Sequence, residues 1–198
     1  MKNEIVAHND LKIRIEEDFF NSVDSNKLLK KFISKLPWES MIIKMFGKDT
    51  KIPRLQCWIG DEGCEYRYSG KQLNRQIWSQ DLIMIRKKIY KELKIDFNSV
   101  LANYYRDGKD SMGWHSDDEK ELGPNPTIAS ISFGSERDLV FRNKISKETL
   151  AIPQTNGCLI LIDGETQKNW QHSIKKTQKV IGPRINLTFR NIINKNNF

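Results

Sequence analysis

His115 and Asp117 stand one residue apart in Trp-His-Ser-Asp, directly after a run that reads as a strand, and that spacing suits a metal ion. In an extended chain residues i and i+2 project to the same side, so an imidazole and a carboxylate two apart can bind one ion together. A third ligand is then needed, and the histidines of the chain are His8, His115 and His172. His8 lies in a polar N-terminal segment that nothing in the sequence fixes, which leaves His172. Two imidazoles and one carboxylate on one face of an octahedral ion leave the other positions open, which is the ligand set of non-haem iron(II) centres. By itself His-x-Asp fits equally a surface histidine beside two solvated aspartates, and any downstream histidine could be nominated as the third ligand.

The C-terminal run Arg184-Ile185-Asn186-Leu187-Thr188-Phe189-Arg190 adds a second constraint. Read as a strand, it puts Ile185, Leu187 and Phe189 on a face that belongs to a core. Arg184, Asn186, Thr188 and Arg190 share the other face. Two guanidiniums and two hydrogen-bonding groups in a row suit a dicarboxylate better than they suit solvent.

In chain order, N-Y-Y-R-D-G, W-H-S-D-D-E, S-I-S-F-G, R-D-L-V-F-R, Q-H-S and R-I-N-L-T-F-R resemble the AlkB family of Fe(II)/2-oxoglutarate-dependent dioxygenases. Within it they are most like the DNA-repair homologues active on duplexes. The resemblance spans roughly residues 45 to 192, and its specificity lies in the combination of motifs. It implies His115, Asp117 and His172 as the catalytic iron(II) ligands. It implies 2-oxoglutarate as co-substrate, with Arg184 and Arg190 as charge partners, Asn186 and Thr188 on the same face, and Asn103 and Tyr105 as further contacts. Asn103 and Tyr105 share a strand face, and the alternative for both is that they satisfy local backbone groups.

The reaction the resemblance implies is oxidative demethylation of N-alkylated bases in DNA, of the 1-methyladenine and 3-methylcytosine type, yielding succinate, CO2 and formaldehyde. A damaged base must leave the stack to react, so aromatic and acidic side chains are needed to hold it. By resemblance Tyr66 and Tyr68 form the aromatic segment, with Tyr68 closing the base against His115, while Asp118 and Glu119 read exocyclic amino groups. Phe46, before Gly47-Lys48, matches a hydrophobic finger that fills the gap left by the base; the competing reading is a phenylalanine closing an apolar strand. Arg54, Arg142, Lys175, Lys176 and Lys179 are candidate phosphate contacts, although Lys175 to Lys179 also fit a solvated loop. RNA demethylation, protein hydroxylation, and nucleic-acid binding on an inactive oxygenase fold are the rival readings.

These residues need a scaffold, and 198 residues suffice for one domain with a substantial core. Alternating Leu11, Ile13 and Ile15 suggest a strand, and Ser25 can cap a helix ended by Pro37. Met41–Phe46 and Arg54–Ile59 read as two strands that could form a hairpin. Ser79 can cap a second helix through Leu93, with Leu82, Ile85, Ile89 and Leu93 at helical spacing. From Val100 onwards short strands follow one another. Many short strands after two helices give a sandwich or barrel buttressed by helices, an α+β, mainly β fold, and the family resemblance implies that it is a double-stranded β-helix (jelly roll). Residues of about 41–75 would form the nucleotide-recognition region and about 98–192 the catalytic core, within a single domain over 1–198.

Lys and Arg number 33 against 25 Asp and Glu, a net charge of +8, which favours a polyanionic partner. DNA, single- or double-stranded, is the expected partner, with RNA as the alternative. Cys57, Cys64 and Cys158 show neither a disulfide framework nor zinc spacing. With no apolar leader and no apolar run long enough to span a bilayer, the expectation is a soluble intracellular monomer, in cytoplasm or nucleus, without membrane contact.

Overall fold

The structure is a computed structural model that describes residues 3–8, 10–45, 47–68 and 71–193. The hairpin β1 (Asn3–His8) and β2 (Leu11–Glu16) leads into helix α1 (Ser22–Lys35). Then follow β3 (Ile42–Met45), β4 (Lys48–Lys51), β5 (Leu55–Gly60), β6 (Arg67–Tyr68), β7 (Lys71–Gln72) and β8 (Arg75–Gln76). Helix α2 (Gln80–Leu93) precedes β9 (Ser99–Tyr105), β10 (Met112–His115), β11 (Ile128–Gly134) and β12 (Arg137–Asn143). The chain continues through β13 (Thr149–Gln154), β14 (Leu159–Ile162), the single turn α3 (Thr166–Asn169), β15 (Trp170–Ile174) and β16 (Arg184–Arg190).

Strands β9 to β16 divide between two sheets, the chain crossing from one to the other at every step except the β12–β13 hairpin. Four of them lie side by side as β14-β11-β16-β9 and the other four as β10-β15-β12-β13. This interleaving is the expected double-stranded β-helix. The first sheet is extended by β2 and β1 beyond β14 and by β5 and β8 beyond β9, giving eight strands among the described residues.

The central strands of the large sheet are buried on both faces, and period-two alternation sorts their side chains. On β16, Ile185, Leu187 and Phe189 join Ala129, Ile131 and Phe133 of β11 in a core completed by Leu28 and Phe32 of α1 and Leu82, Ile85 and Ile89 of α2. A second core lies between the sheets, with Ile128, Ile160 and Ile162 facing Leu139, Phe141, Ile152 and Trp170. The polar face of β16 opens into that same interior, which is how a strand with two arginines comes to be buried along its whole length.

The helices form largely where their apolar stripes predict. Ser79 caps α2, its Oγ accepting from the Leu82 N–H at 3.4 Å. The cap of α1 is Asn21, whose Oδ1 accepts from the Asp24 N–H at 2.9 Å, rather than the expected Ser25. Ser25 lies inside the helix and donates to the Phe20 carbonyl. Both residue types cap well, and starting at Asn21 turns Phe19 and Phe20 into the core.

The expected pairing of 41–46 with 54–59 does not occur. β3 pairs with β4, a polar Lys-Asp-Thr-Lys run without strand patterning, in register Ile42↔Lys51 to Met45↔Lys48. β5 instead joins the large sheet against β9, because its side chains Cys57, Trp58 and Ile59 are too apolar to leave outside.

Candidate active site

β10 and β15 meet as antiparallel neighbours with His115 directly opposite His172, their ring centroids 4.2 Å apart. Asp117 lies past the end of β10, and one donor atom from each of His115, Asp117 and His172 falls within a 4.8 Å cluster. The sequence spacing therefore brings the three together, though strand alternation is not what holds the carboxylate. Two side chains do that. Gln167 Oε1 accepts from the Asp117 backbone N–H at 3.0 Å, and Arg190 Nη2 donates to Asp117 Oδ1 at 2.6 Å.

The donor set fits a divalent ion. His115 Nδ1 sits 2.9 Å from the Gly113 carbonyl, so it carries the proton and leaves the Nε2 lone pair for a ligand. Asp117 Oδ2 is buried and without a hydrogen-bond partner among the described residues. Burial opposes ionisation of Asp117, but the charges of Arg190, His172 and His115 outweigh it and bring its pKa down to about 2. Burial, reinforced by His115, pushes His172 down to about 3, and burial likewise lowers His115. Two neutral imidazoles beside one carboxylate is the protonation state that metal binding requires.

The cavity beside the triad is lined by the polar face of β16 together with Tyr105, Ser130 and Gln154. Arg184 and Arg190 lie six positions apart on that strand, about 20 Å along it. They cannot share one small carboxylate, so the two charge partners expected for 2-oxoglutarate stand at opposite ends of β16. Arg190 belongs to the metal end. Arg184 lies at the other end, 1 % exposed, with Nη2 donating to Ser132 Oγ and to Gln154 Oε1 and its guanidinium carbon 5.1 Å from the Tyr105 ring centroid. Its Nε and Nη1 are buried without partners among the described residues. Burial lowers its pKa. A buried cation with unsatisfied donors fits a carboxylate ligand. Asn186 and Thr188 lie between the arginines, with Thr188 Oγ1 donating to Asn186 Oδ1 and Asn186 Nδ2 donating to Ser130 Oγ.

Tyr105 lines this cavity and Asn103 does not. The Asn103 side-chain oxygen accepts from Arg54 Nε at 2.9 Å and from Gln56 Nε2 at 3.1 Å. Arg54, expected at a phosphate, is thus a buried residue of the wall. Tyr66 is corrected in the same way. It is fully buried, stacked on Trp58 at 4.6 Å, and its hydroxyl donates to Glu119 Oε1. No face of that ring is left for a base.

Asp118 and Glu119 point in different directions. Asp118 is exposed, 3.7 Å from Lys144, whereas Glu119 turns inward beneath Tyr66, where burial raises its pKa. Arg142 packs over the Trp114 ring at 4.2 Å and donates to Gln171. Lys175, Lys176 and Lys179 are exposed, with Lys175 Nζ 5.7 Å from the Trp114 ring. Tyr68 falls in β6, its side chain outside the described residues, and Phe46 lies outside them altogether. Sequence reasoning missed Ser132, Gln154, Gln167 and Glu119's inward role. Alternation in Ser130-Ile131-Ser132 could have flagged the serines, but no local pattern marks the two glutamines.

A jelly roll holding two histidines and an aspartate beside a buried, carboxylate-ready arginine defines an iron- and 2-oxo-acid-dependent oxygenase fold. The family model of the 2OG-Fe(II) oxygenase superfamily matches residues 12–190, and the chain belongs to that superfamily. That family is named for iron(II) and 2-oxoglutarate, and His115, Asp117 and His172 form a cluster that could hold the metal. It is 40 % identical over 159 residues to the DNA oxidative demethylase ALKBH2 of Homo sapiens, covering 76 % of this chain and 61 % of that protein. It is 34 % identical over 183 residues to the alpha-ketoglutarate-dependent dioxygenase alkB homolog 3 of Mus musculus, covering 88 % and 64 %. The chain thus spans a little over three fifths of the length of these curated relatives. The solved structure of OsALKBH1 superposes with a TM-score of 0.64 at 13 % identity, over 90 % of this chain and 97 % of that one, a likeness of fold.

Proposed function

We propose that this chain is a DNA oxidative demethylase that removes methyl groups from ring nitrogens of alkylated bases. The observation that carries the reading is one cavity lined both by His115, Asp117 and His172 and by the buried Arg184. The likeness to ALKBH2 gives the substrate class. Bound iron(II), with 2-oxoglutarate and O2, supplies the oxidation that converts an N-methyl group to a hemiaminal, which sheds formaldehyde.

The protein's part is placement. Arg184, with Tyr105 and Ser132 around it, receives the far carboxylate of 2-oxoglutarate, so that its keto-acid end points back to the triad. Arg190 keeps Asp117 ionised and oriented. The dry walls of the inter-sheet core exclude water from the reacting centre. Outside, Arg142, Lys175 and Lys176 offer positive charge to phosphates, Asp118 remains available to an exocyclic amino group, and Tyr68 is the aromatic candidate that remains once Tyr66 is assigned to the wall. The small sheets β3–β4 and β6–β7 within residues of about 41–75 form the nucleotide-recognition region, set over the jelly roll of about 98–192.

No helix among the described residues is long and apolar enough to cross a membrane. Three free, buried cysteines fit an intracellular site of action.

Formaldehyde release from oligonucleotides carrying 1-methyladenine or 3-methylcytosine, with iron(II) and 2-oxoglutarate, tests the proposal. Matched DNA and RNA strands are compared. Release from DNA, abolished by His115→Ala, Asp117→Ala or His172→Ala, is expected. Turnover confined to RNA, or absent from every methylated strand, overturns it.

A further inference from the structure

Asp117 presents a positioning problem that strand pairing does not solve. β10 ends at His115, and the register between β10 and β15 is already irregular between Met112 and His115. Beyond that point no ladder fixes the backbone. The loop is held instead by the short segment that runs from α3 into β15. Ser116 Oγ donates to the Trp170 carbonyl at 3.0 Å, and the buried Asp117 N–H donates to Gln167 Oε1 at 3.0 Å. Lys144 Nζ donates to the Gln167 carbonyl at 2.8 Å and lies 3.7 Å from Asp118. Five residues after Gln167 the same segment delivers His172.

Gln167 itself is 2 % exposed, and its Nε2 has no hydrogen-bond partner among the described residues. An amide kept in the interior with one end unsatisfied is a poor way to stabilise a core, where an apolar side chain of the same size serves better. Its useful atom is Oε1, which among the described residues accepts its hydrogen bond from the backbone of the carboxylate ligand.

We infer that Gln167 is a positioning residue of the metal centre, setting Asp117 against His172 by gripping the backbone N–H of Asp117. This rests on the proposed role of His115, Asp117 and His172 as the iron ligands. The grip makes the distance between Asp117 and His172 a property of one short segment. Without it, Asp117 keeps its ion pair to Arg190 but loses the tether on its main chain, so the carboxylate can swing away from the two imidazoles. Outer partners that orient ligands typically carry a 10- to 100-fold share of metal affinity.

The test uses cobalt(II) as a spectroscopic stand-in for iron(II) and reads binding, not turnover. Cobalt is titrated into metal-free wild type, Gln167→Leu and Gln167→Asn, following the visible d–d bands, alongside melting curves of the metal-free proteins. Ile33→Ala, on the core-facing side of α1 and not among the residues lining the cavity, is the control for general loss of stability. Expected is a cobalt affinity roughly 10- to 100-fold weaker in both Gln167 variants, with altered d–d bands, while Ile33→Ala keeps wild-type affinity and spectrum. If Gln167→Leu does not fold, Gln167→Asn, whose oxygen is withdrawn by one methylene, decides alone. Wild-type affinity and bands in the Gln167 variants overturn the inference, as does an equal loss in Ile33→Ala. Absence of cobalt binding by wild type would instead overturn the metal-site reading on which it stands.

Discussion

Arg190 and Asp117 form a buried ion pair at 2.6 Å, with side chains 2 % and 1 % exposed, and the pair leaves Asp117 Oδ2 free to face His172 at 3.8 Å. One carboxylate oxygen is spent on the protein and the other is reserved. Breaking a buried pair by removing one partner strands the other charge and costs about 3–5 kcal/mol. Arg190→Ala should therefore lower the unfolding free energy by about that amount and weaken cobalt or iron binding, measured by urea denaturation and metal titration. Since the Asp117 pKa is held down near 2 by Arg190 after burial has pushed it up, the stability this pair contributes is present above the unfolded carboxylate value. It is lost as pH falls through the folded one. Wild-type stability in Arg190→Ala at neutral pH would show the pair to be dispensable.

At the opposite end of β16, Arg184 makes a different prediction. Its partners are Ser132, Gln154 and Tyr105, none of them a metal ligand. A charge-assisted contact to a carboxylate is worth about 1.5–3 kcal/mol, so Arg184→Ala should raise KM for 2-oxoglutarate roughly 10- to 100-fold. Cobalt affinity should stay at the wild-type level. The opposite split, with metal binding lost and KM unchanged, would place the co-substrate elsewhere.

These two arginines also show where sequence reasoning stops. Alternation along Arg184–Arg190 correctly separates a core face from a site face, because side-chain direction in a strand is a local property. Which arginine meets which group depends on long-range partners: Ser132 comes from the neighbouring strand β11, Gln154 from the facing sheet and Asp117 from the loop after β10. Tyr66 fails for a related reason. An aromatic next to a charged residue looks the same in sequence whether it faces solvent or stacks on Trp58, and the Trp58–Tyr66 contact is set by β5 leaving the expected hairpin to join β9. Many short strands between turns narrowed the fold to a sandwich or barrel, and the family resemblance chose the jelly roll among these.

The cysteines offer a check on packing that is independent of catalysis. Burial drives the thiol of Cys57 up to about 12 and that of Cys158 up to about 11, and burial also raises Cys64. A raised pKa removes the reactive thiolate at working pH, leaving about one part in ten thousand for a thiol near 12 at pH 8. The native protein should therefore resist iodoacetamide at pH 8 and label at all three cysteines once unfolded in urea. Rapid labelling of Cys57 in the native state, read by mass spectrometry, would contradict its burial on β5 of the large sheet.

Phe46 falls in the chain between β3 and β4, in the segment proposed to recognise the nucleotide. Extruding a base from a duplex costs a few kcal/mol of stacking, and an aromatic ring inserted in its place recovers part of that by stacking on the neighbouring bases. A single strand has no such gap to fill. If Phe46 plays this part, Phe46→Ala should lose far more activity on duplex DNA than on a single strand bearing the same lesion, with the melting temperature near wild type. If Phe46 is a core residue, truncation should instead cost about 3–5 kcal/mol of stability and reduce both activities together. Measuring formaldehyde release on both substrates beside a melting curve separates the two, and equal loss on both removes the basis for a duplex preference.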